Sequence, residues 1–275
     1  MHTVLKFALP VAHLTKEQIA FFRLLSSRSY LEFQPLPILT HAGLCAAIEA
    51  DAAQILWAPP LVALDLWEWG SAQPLATVVR KGRTSYPAVL VARPEPQQEL
   101  ATLLKGRVAW VSKLSAAGYV VPMRFLESEG LVGSEGFQEQ RFLYSHQGVL
   151  QAVLQGQADV GATYGRLSRT SSAVELRPEA EGLRVVAVAG YVPNEVIMTS
   201  RKVSELERLS LGEALRRTSL GDLQLLGVEL GVERFSLQVG EHLEPLMRLT
   251  HRARSSEIPL QRPLQFSEEL GELSA

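Results

Sequence analysis

Apolar residues in this chain fall into short extended runs separated by stretches of helical period, and the period switches repeatedly. Val4–Leu9 alternates as V-L-K-F-A-L and predicts a first strand. Thr15 stands three residues before Gln18, the signature of a capping box, and opens the helix I-A-F-F-R-L-L. Leu31–Ile38 reads as a strand, Gly43–Ala50 as a helix after His41, and Gln54–Trp57 as a short strand stopped at Pro59-Pro60. Leu75–Val79 and Tyr86–Ala92 are two more strands, either side of the turn-like cluster R-K-G-R-T-S.

After Arg93-Pro94-Glu95-Pro96 the pattern restarts. A helix over Gln97–Leu104 ends at Gly106, strand Arg107–Val111 follows, and a helix begins at Ser115. Gln140–Tyr144 is strand-like, and Ser145 caps the helix H-Q-G-V-L-Q-A-V-L-Q, which ends at Gly156. Ala158–Thr163 and Leu183–Ala189 are further strands. From about Ser204 onward the chain reads as mostly helical, with the amphipathic stretches S-E-L-E-R-L-S-L-G-E-A-L and H-L-E-P-L-M-R-L.

Alternation of strand and helix implies an α/β fold built of βαβ units with largely parallel sheets. The P-E-P stretch near 95 and the G-Y-V-P stretch near 191 are where the chain would cross between lobes. That division gives a discontinuous lobe, 1–92 plus 191–275, and a second lobe, 93–190, with a ligand cleft between them.

Composition narrows the function. At 275 residues the chain can bury a sizeable core. A formal net charge of -2 carries no nucleic-acid footprint. One cysteine, Cys45, excludes an internal disulfide and a cysteine-based zinc cluster. No run approaches the about 18 apolar residues of a membrane span. The opening M-H-T-V-L-K-F-A-L-P-V-A-H lacks the apolar core and small-residue cleavage site of an export signal. As written, the chain would stay in the cytoplasm; a trimmed leader would place it in the periplasm or anchored outside the membrane.

The sequence contains no G-x-S-x-G, H-E-x-x-H or Walker A motif, and the histidines at 2, 13, 41, 146, 242 and 251 show no metal-ligand spacing. No catalytic group, metal or cofactor is therefore expected. Cys45, in A-G-L-C-A-A-I, reads as a core filler. The segment V-S-K-L-S-A-A-G-Y, Val111 to Tyr119, is more informative. Ser115 would cap a helix whose first-turn N–H groups, at Ala116, Ala117 and Gly118, lack intrahelical acceptors and could take an anion, with Tyr119 closing over it. The plainer alternative is a capped helix whose glycine packs against a strand. The segment Y-S-H-Q-G repeats the arrangement, with His146 at a helix start as either an anion donor or a surface cap. Asp159 reads as a backbone tether at a strand's entry.

Taken in order, K-G-R-V-A-W-V-S-K-L-S-A-A-G-Y-V-V-P-M-R-F-L, Y-S-H-Q-G-V-L-Q-A-V-L-Q-G-Q-A-D-V-G-A-T and G-Y-V-P-N-E-V-I resemble the phosphate, phosphite and phosphonate substrate-binding proteins of ABC importers. G-R-T-S-Y-P-A-V-L-V-A-R and A-D-A-A-Q-I-L-W-A-P-P extend the resemblance upstream. It implies a two-lobed type II periplasmic-binding-protein fold that closes on its ligand about a hinge. By the same resemblance, Ser112, Ser115, Ala116, Ala117, Gly118, Tyr119, Tyr86 and His146 form the anion site. His41 takes the place of a family tyrosine, and Asn194 that of a hinge-proximal polar contact. Two departures stand out. The family's Ser-Thr-Ser-Gly-Tyr is Ser-Ala-Ala-Gly-Tyr here, which deletes two hydroxyl donors. Arg166 occupies the register of a carboxylate found in members that hold aminoalkyl phosphonates.

These signals imply a non-enzymatic solute-binding protein for a small anion, a monomer that delivers to an ABC importer permease and binds no nucleic acid. A cytoplasmic ligand-sensing module, or a biosynthetic enzyme on the same fold, are the alternatives.

Overall fold

A computed structural model describes residues 3–132, 136–168, 173–176, 178–227, 231–237 and 239–254. The helical expectation for 255–275 lies outside the described residues. In chain order the first elements are β1 (Thr3–Leu9), α1 (Lys16–Ser27), β2 (Leu31–Pro37), α2 (His41–Glu49), β3 (Ile55–Ala58), α3 (Pro60–Glu68), β4 (Ala72–Val79) and β5 (Ser85–Ala92). Then come α4 (Leu100–Leu103), β6 (Arg107–Trp110), a π turn at Ala116–Val120, α5 (Val121–Ser128), β7 (Glu139–Phe142), α6 (His146–Leu154), β8 (Val160–Tyr164), β9 (Arg166–Leu167), β10 (Val174–Glu175) and β11 (Arg184–Pro193). The last are β12 (Val196–Ser200), α7 (Glu205–Arg216), α8 (Leu220–Gln224), β13 (Arg234–Ser236) and α9 (Gly240–Arg254).

Val79–Asn194 forms one compact unit, and the segments before and after it form the other. The discontinuous unit is built on a six-stranded sheet of order β13-β4-β12-β3-β1-β2. Strand alternation divides its core. Leu5, Phe7 and Leu9 of β1 face one way and pack with Phe21, Phe22 and Leu25 of α1, Phe7 meeting Phe22 edge-on at 4.9 Å. Ala8 faces the other way, towards Leu44 and Ile48 of α2 and Val62 and Leu66 of α3. The Thr15–Gln18 capping box that opens α1 is formed as the sequence predicts.

The continuous unit carries a five-stranded sheet, β11-β5-β8-β6-β7. Leu90, Val108, Trp110 and Ala162 share one face with Leu126 of α5. Ala109 packs on the other face with Val149 and Val153 of α6. Trp110 is fully buried, and its indole N–H donates to Gln140 Oε1 at 3.0 Å, so its one polar atom is satisfied.

Several expectations change. β5, expected in the discontinuous lobe, belongs to the continuous unit, because it pairs with β8 and β11. The chain crosses between units at 78/79 and 194/195 rather than at 92/93 and 190/191. Both sheets are mixed: β1 with β2 and β3, and β6 with β7 and β8, run parallel. Strands flanking the crossings, β4, β5, β11 and β12, pair antiparallel, which needs no crossover helix on either face. Pro59-Pro60 opens α3 rather than stopping the chain, since a proline at the first helical position loses no hydrogen bond. The helix expected over Gln97–Leu104 contracts to α4, because Glu99 stays extended (φ -71°, ψ 154°).

Candidate functional site

The parallel strands β8, β6 and β7 lie side by side, and each delivers its next residues to the same sheet edge. Such carboxyl edges are where α/β sheets hold ligands. After β6 the edge receives Ser112 to Tyr119, after β7 it receives Ser145 and His146, and β8 ends there at Thr163 and Tyr164. Main-chain bonds tie the first two loops together: Leu143 N–H donates to Trp110 O (2.9 Å), and Tyr144 N–H to Val111 O (2.8 Å). Antiparallel pairing brings Tyr86 of β5 to this edge, since Ala88 stands opposite Tyr164 and Val192 opposite Tyr86. Asn194 follows β11 to the same place. One edge of one unit therefore collects the candidate residues carried by β5, β6, β7, β8 and β11, whereas His41 lies in the other unit and Arg166 in the separate β9–β10 ladder.

Ser115 is extended (φ -93°, ψ 116°), and its hydroxyl accepts Gly118 N–H at 3.1 Å, as a cap should. The helix that follows begins as a π turn, with Val120 N–H bonded to Ser115 O at 3.0 Å. π turns are rare and concentrate at functional sites. The N–H groups of Ala116 and Ala117 precede this first intrahelical bond. Gly118 differs from expectation: its N–H is committed to Ser115 and is not a donor for a ligand. A Cβ there would stand 2.4 Å from Val111 Cγ2 and 2.6 Å from Val111 Cβ, so the glycine is required by packing against the end of β6. Ser112 accepts Ser115 N–H through its carbonyl at 3.0 Å. Tyr119 does not close over the helix start. Its ring packs edge-on against Trp110 (5.4 Å) and tilted on Phe142 (5.5 Å), and burial raises its hydroxyl pKa. Apolar contact on that side outweighs exposure at the edge.

Tyr144 takes a left-handed conformation (φ 58°) with 82% of its surface exposed. That turn hands β7 over to Ser145, whose hydroxyl accepts Gly148 N–H at 3.0 Å and caps α6. α6 lies close upon β8 because Gly161 leaves room: a Cβ there would meet Val149 Cγ1 at 2.6 Å and Val153 Cγ2 at 2.8 Å. The close approach lets His146 Nδ1 reach Thr163 Oγ1 at 3.1 Å. The imidazole also meets Tyr164 edge-on at 4.7 Å, and Tyr164 in turn meets Tyr86 at 5.6 Å. Tyr86 and His146, nominated separately from the sequence, are thus joined through Tyr164. No motif marks Thr163 or Tyr164; the signal for them in the sequence is their position at the end of the V-G-A-T-Y strand.

The remaining candidates fall out differently. Asn194 is buried; its side-chain amide donates to Arg83 O (3.0 Å) and its N–H to Thr84 O (2.7 Å), which ties down the turn before β5. Arg166 is exposed in the short β9–β10 ladder, opposite Glu175. His41 is the first residue of α2 in the discontinuous unit, where Thr40 caps the helix and burial lowers the imidazole pKa. Asp159 is the expected tether, and it lies at the far end of the strands. It accepts Arg107 N–H (2.9 Å), Nε (3.1 Å) and Nη2 (2.9 Å), and Arg107 holds its carboxyl below the usual range. Cys45 is buried and its thiol is pushed up to about 12, by burial first and then by Asp65 and Glu49, so it stays protonated at neutral pH. Among the described residues no cluster of His, Cys, Asp or Glu could hold a metal ion.

A family model described as the periplasmic substrate-binding protein of a phosphonate ABC transporter matches residues 11–236. No curated protein sequence matches the chain. Among solved structures it is similar to XAC2383 from Xanthomonas citri bound to ATP, with 17% identity, a TM-score of 0.74, and 92% of this chain and 98% of that one covered. It is also similar to PhnD1 from Prochlorococcus marinus in complex with methylphosphonate, at 15% identity and TM-score 0.72, covering 92% and 98%. A binding-protein component of an ABC phosphonate transporter from Pseudomonas aeruginosa matches at 16% identity and TM-score 0.69, covering 96% and 93%. At these identities the likeness is one of fold, that of the type II periplasmic-binding proteins.

Proposed function

We propose a ligand from one premise: this chain belongs to the family of periplasmic substrate-binding proteins of phosphonate ABC transporters. The ligand is a small oxyanion of the phosphonate, phosphate or phosphite class. It is held at the carboxyl edge of the five-stranded sheet and passed unchanged to a transporter permease, by a protein that works as a monomer. The observation that carries this reading is the π turn after Ser115, whose Ala116 and Ala117 N–H groups precede the first intrahelical bond. In the same unit His146 stands at the start of a second capped helix. Helix-start donors hold an anion through neutral dipoles, so the site needs no excess of basic residues and agrees with a net charge of -2.

Ser112, the Ala116 and Ala117 amides, His146 and Tyr86 are the proposed contacts. Gly118 shapes the turn, and Asn194 holds the Arg83–Thr84 turn against β11. Arg166, an exposed cation two residues beyond β8, disfavours an amine-bearing phosphonate. Isothermal titration with phosphate, phosphite, methylphosphonate, 2-aminoethylphosphonate, sulfate and ATP tests this reading. Sub-millimolar binding of at least one phosph(on)ate oxyanion, with the aminoalkyl compound weaker than methylphosphonate, is the expected result. No heat from any phosphorus oxyanion would overturn it.

A further inference from the structure

Tyr144 combines two unfavourable features. Its backbone is left-handed (φ 58°), a conformation in which a bulky side chain is an outlier and which glycine holds without strain. Among the described residues the other non-glycine positions with positive φ are Asp51 and Lys81, both polar. Its ring is 82% exposed, the most exposed large apolar side chain among the described residues. The strand before it accounts for neither feature. Phe142 packs with the Trp110 cluster and Leu143 with Ala109 and Val149, on opposite faces of the sheet, and the alternation ends at Tyr144. The ring therefore adds little to the core, and the turn would form more easily with glycine in its place.

Position is the second observation. Tyr144 N–H donates to Val111 O at 2.8 Å, one residue before Ser112, and the chain continues into Ser145, the cap of α6, and His146. Tyr144 thus stands where the two loops of the proposed anion site are tied together. Those loops supply the donors for an oxyanion; what an exposed aromatic ring adds is a flat apolar surface. Phosphate and phosphite give such a surface nothing to cover, whereas a phosphonate carries a carbon substituent on phosphorus. Packing the ring on that substituent removes apolar area from water on both sides.

We propose that Tyr144 is a specificity-determining residue: its ring packs on the organic substituent of the ligand and selects phosphonates with an apolar or aromatic group over inorganic phosphate. The proposal rests on the reading of the β6 and β7 loops as the anion site given above.

Calorimetric titration of the parent, Tyr144→Gly and Tyr144→Phe with phosphate, methylphosphonate and phenylphosphonate tests it, together with the melting temperature of each protein without ligand. The parent should bind phenylphosphonate most tightly and phosphate least. Tyr144→Gly should bind phenylphosphonate about tenfold more weakly, the scale of one aromatic contact, and keep its phosphate affinity within about twofold. It should melt no lower than the parent, since the ring is not part of the core. Tyr144→Phe should keep the parent's order of ligands, because the ring and not the hydroxyl makes the contact. An equal loss for all three ligands, no loss for phenylphosphonate, or a lower melting temperature in Tyr144→Gly overturns the proposal. So does a parent that prefers phosphate to both phosphonates. A parent that binds none of the three overturns the underlying reading instead.

Discussion

Gly118 shows how much a single residue's explanation depends on its neighbours. From the residues alone close packing against a strand was the plainer reading, and the family resemblance turned it towards an exposed anion cradle. The structure puts Val111 2.4 Å from where a Cβ would lie, and Ser115 Oγ at 2.7 Å from the same point. Val111 is β-branched and buried at the end of β6, so it has little room to move. Gly118→Ala should therefore destabilise the protein by about 1–3 kcal/mol, the usual range for overpacking. Urea denaturation followed by circular dichroism measures this; a neutral effect would mean that the helix start shifts freely. Cys45 resolves in the other direction, because burial and two nearby carboxylates make its thiol the core filler that its small-residue surroundings predict.

At the scale of elements, the two capped helix starts bear the candidate chemistry, and Ala116 and Ala117 are where this chain departs from the Ser-Thr-Ser-Gly-Tyr pattern that the resemblance implies. Restoring hydroxyls by Ala116→Thr with Ala117→Ser should tighten methylphosphonate binding at least about tenfold, since a hydrogen bond to a charged group contributes about 1.5–3 kcal/mol. Affinity unchanged or weakened in titration calorimetry would place the ligand away from this turn. The short helix α8 offers a test of electrostatics. Asp222 accepts a hydrogen bond from Arg28 (2.6 Å) and closes a capping box by accepting Ser219 N–H (2.6 Å). Arg28 first, and Ser219 after it, lower its pKa from an ordinary 3.8 to about 2. A carboxylate with a depressed folded pKa stabilises the fold above its unfolded pKa, and that contribution is lost as pH falls through the folded value. Asp222→Asn should lower the melting temperature at neutral pH, and the gap to the parent should narrow between pH 3.8 and about 2. A constant gap over that window would show that the carboxylate's charge is not what stabilises α8.

Across the whole molecule, Asp222 and Asp159 brace different units, and their bridges share no residue. Substitutions without shared partners add. The double variant Asp159→Asn with Asp222→Asn should lose the sum of the two single losses in denaturant stability, within about 0.5 kcal/mol. A marked excess would reveal coupling between the units. The arrangement proposed for binding also emerges only at this scale. The π turn after β6, His146 after β7, Thr163 and Tyr164 ending β8, Tyr86 entering β5 and Asn194 leaving β11 come from five strands. They share one edge because of strand order and direction.

Much of this was determined by the sequence alone. The strands from β1 to β8 and the helices α1, α2, α5 and α6 follow from the apolar period, the caps at Thr15, Ser115 and Ser145 from hydroxyls at helix starts, and the family from motifs that occur in order. These are local signals, carried by residues within a few positions of each other. Only the tertiary structure decided the rest: that β5 belongs with β8 and β11, that Tyr119 turns into an aromatic cluster, and that Gly118 serves packing. It also decided that Gly161 lets α6 descend far enough for His146 to meet Thr163. Strand order and helix–strand distance arise from contacts between residues remote in the chain, and neither period nor spacing encodes which distant partner a side chain will touch.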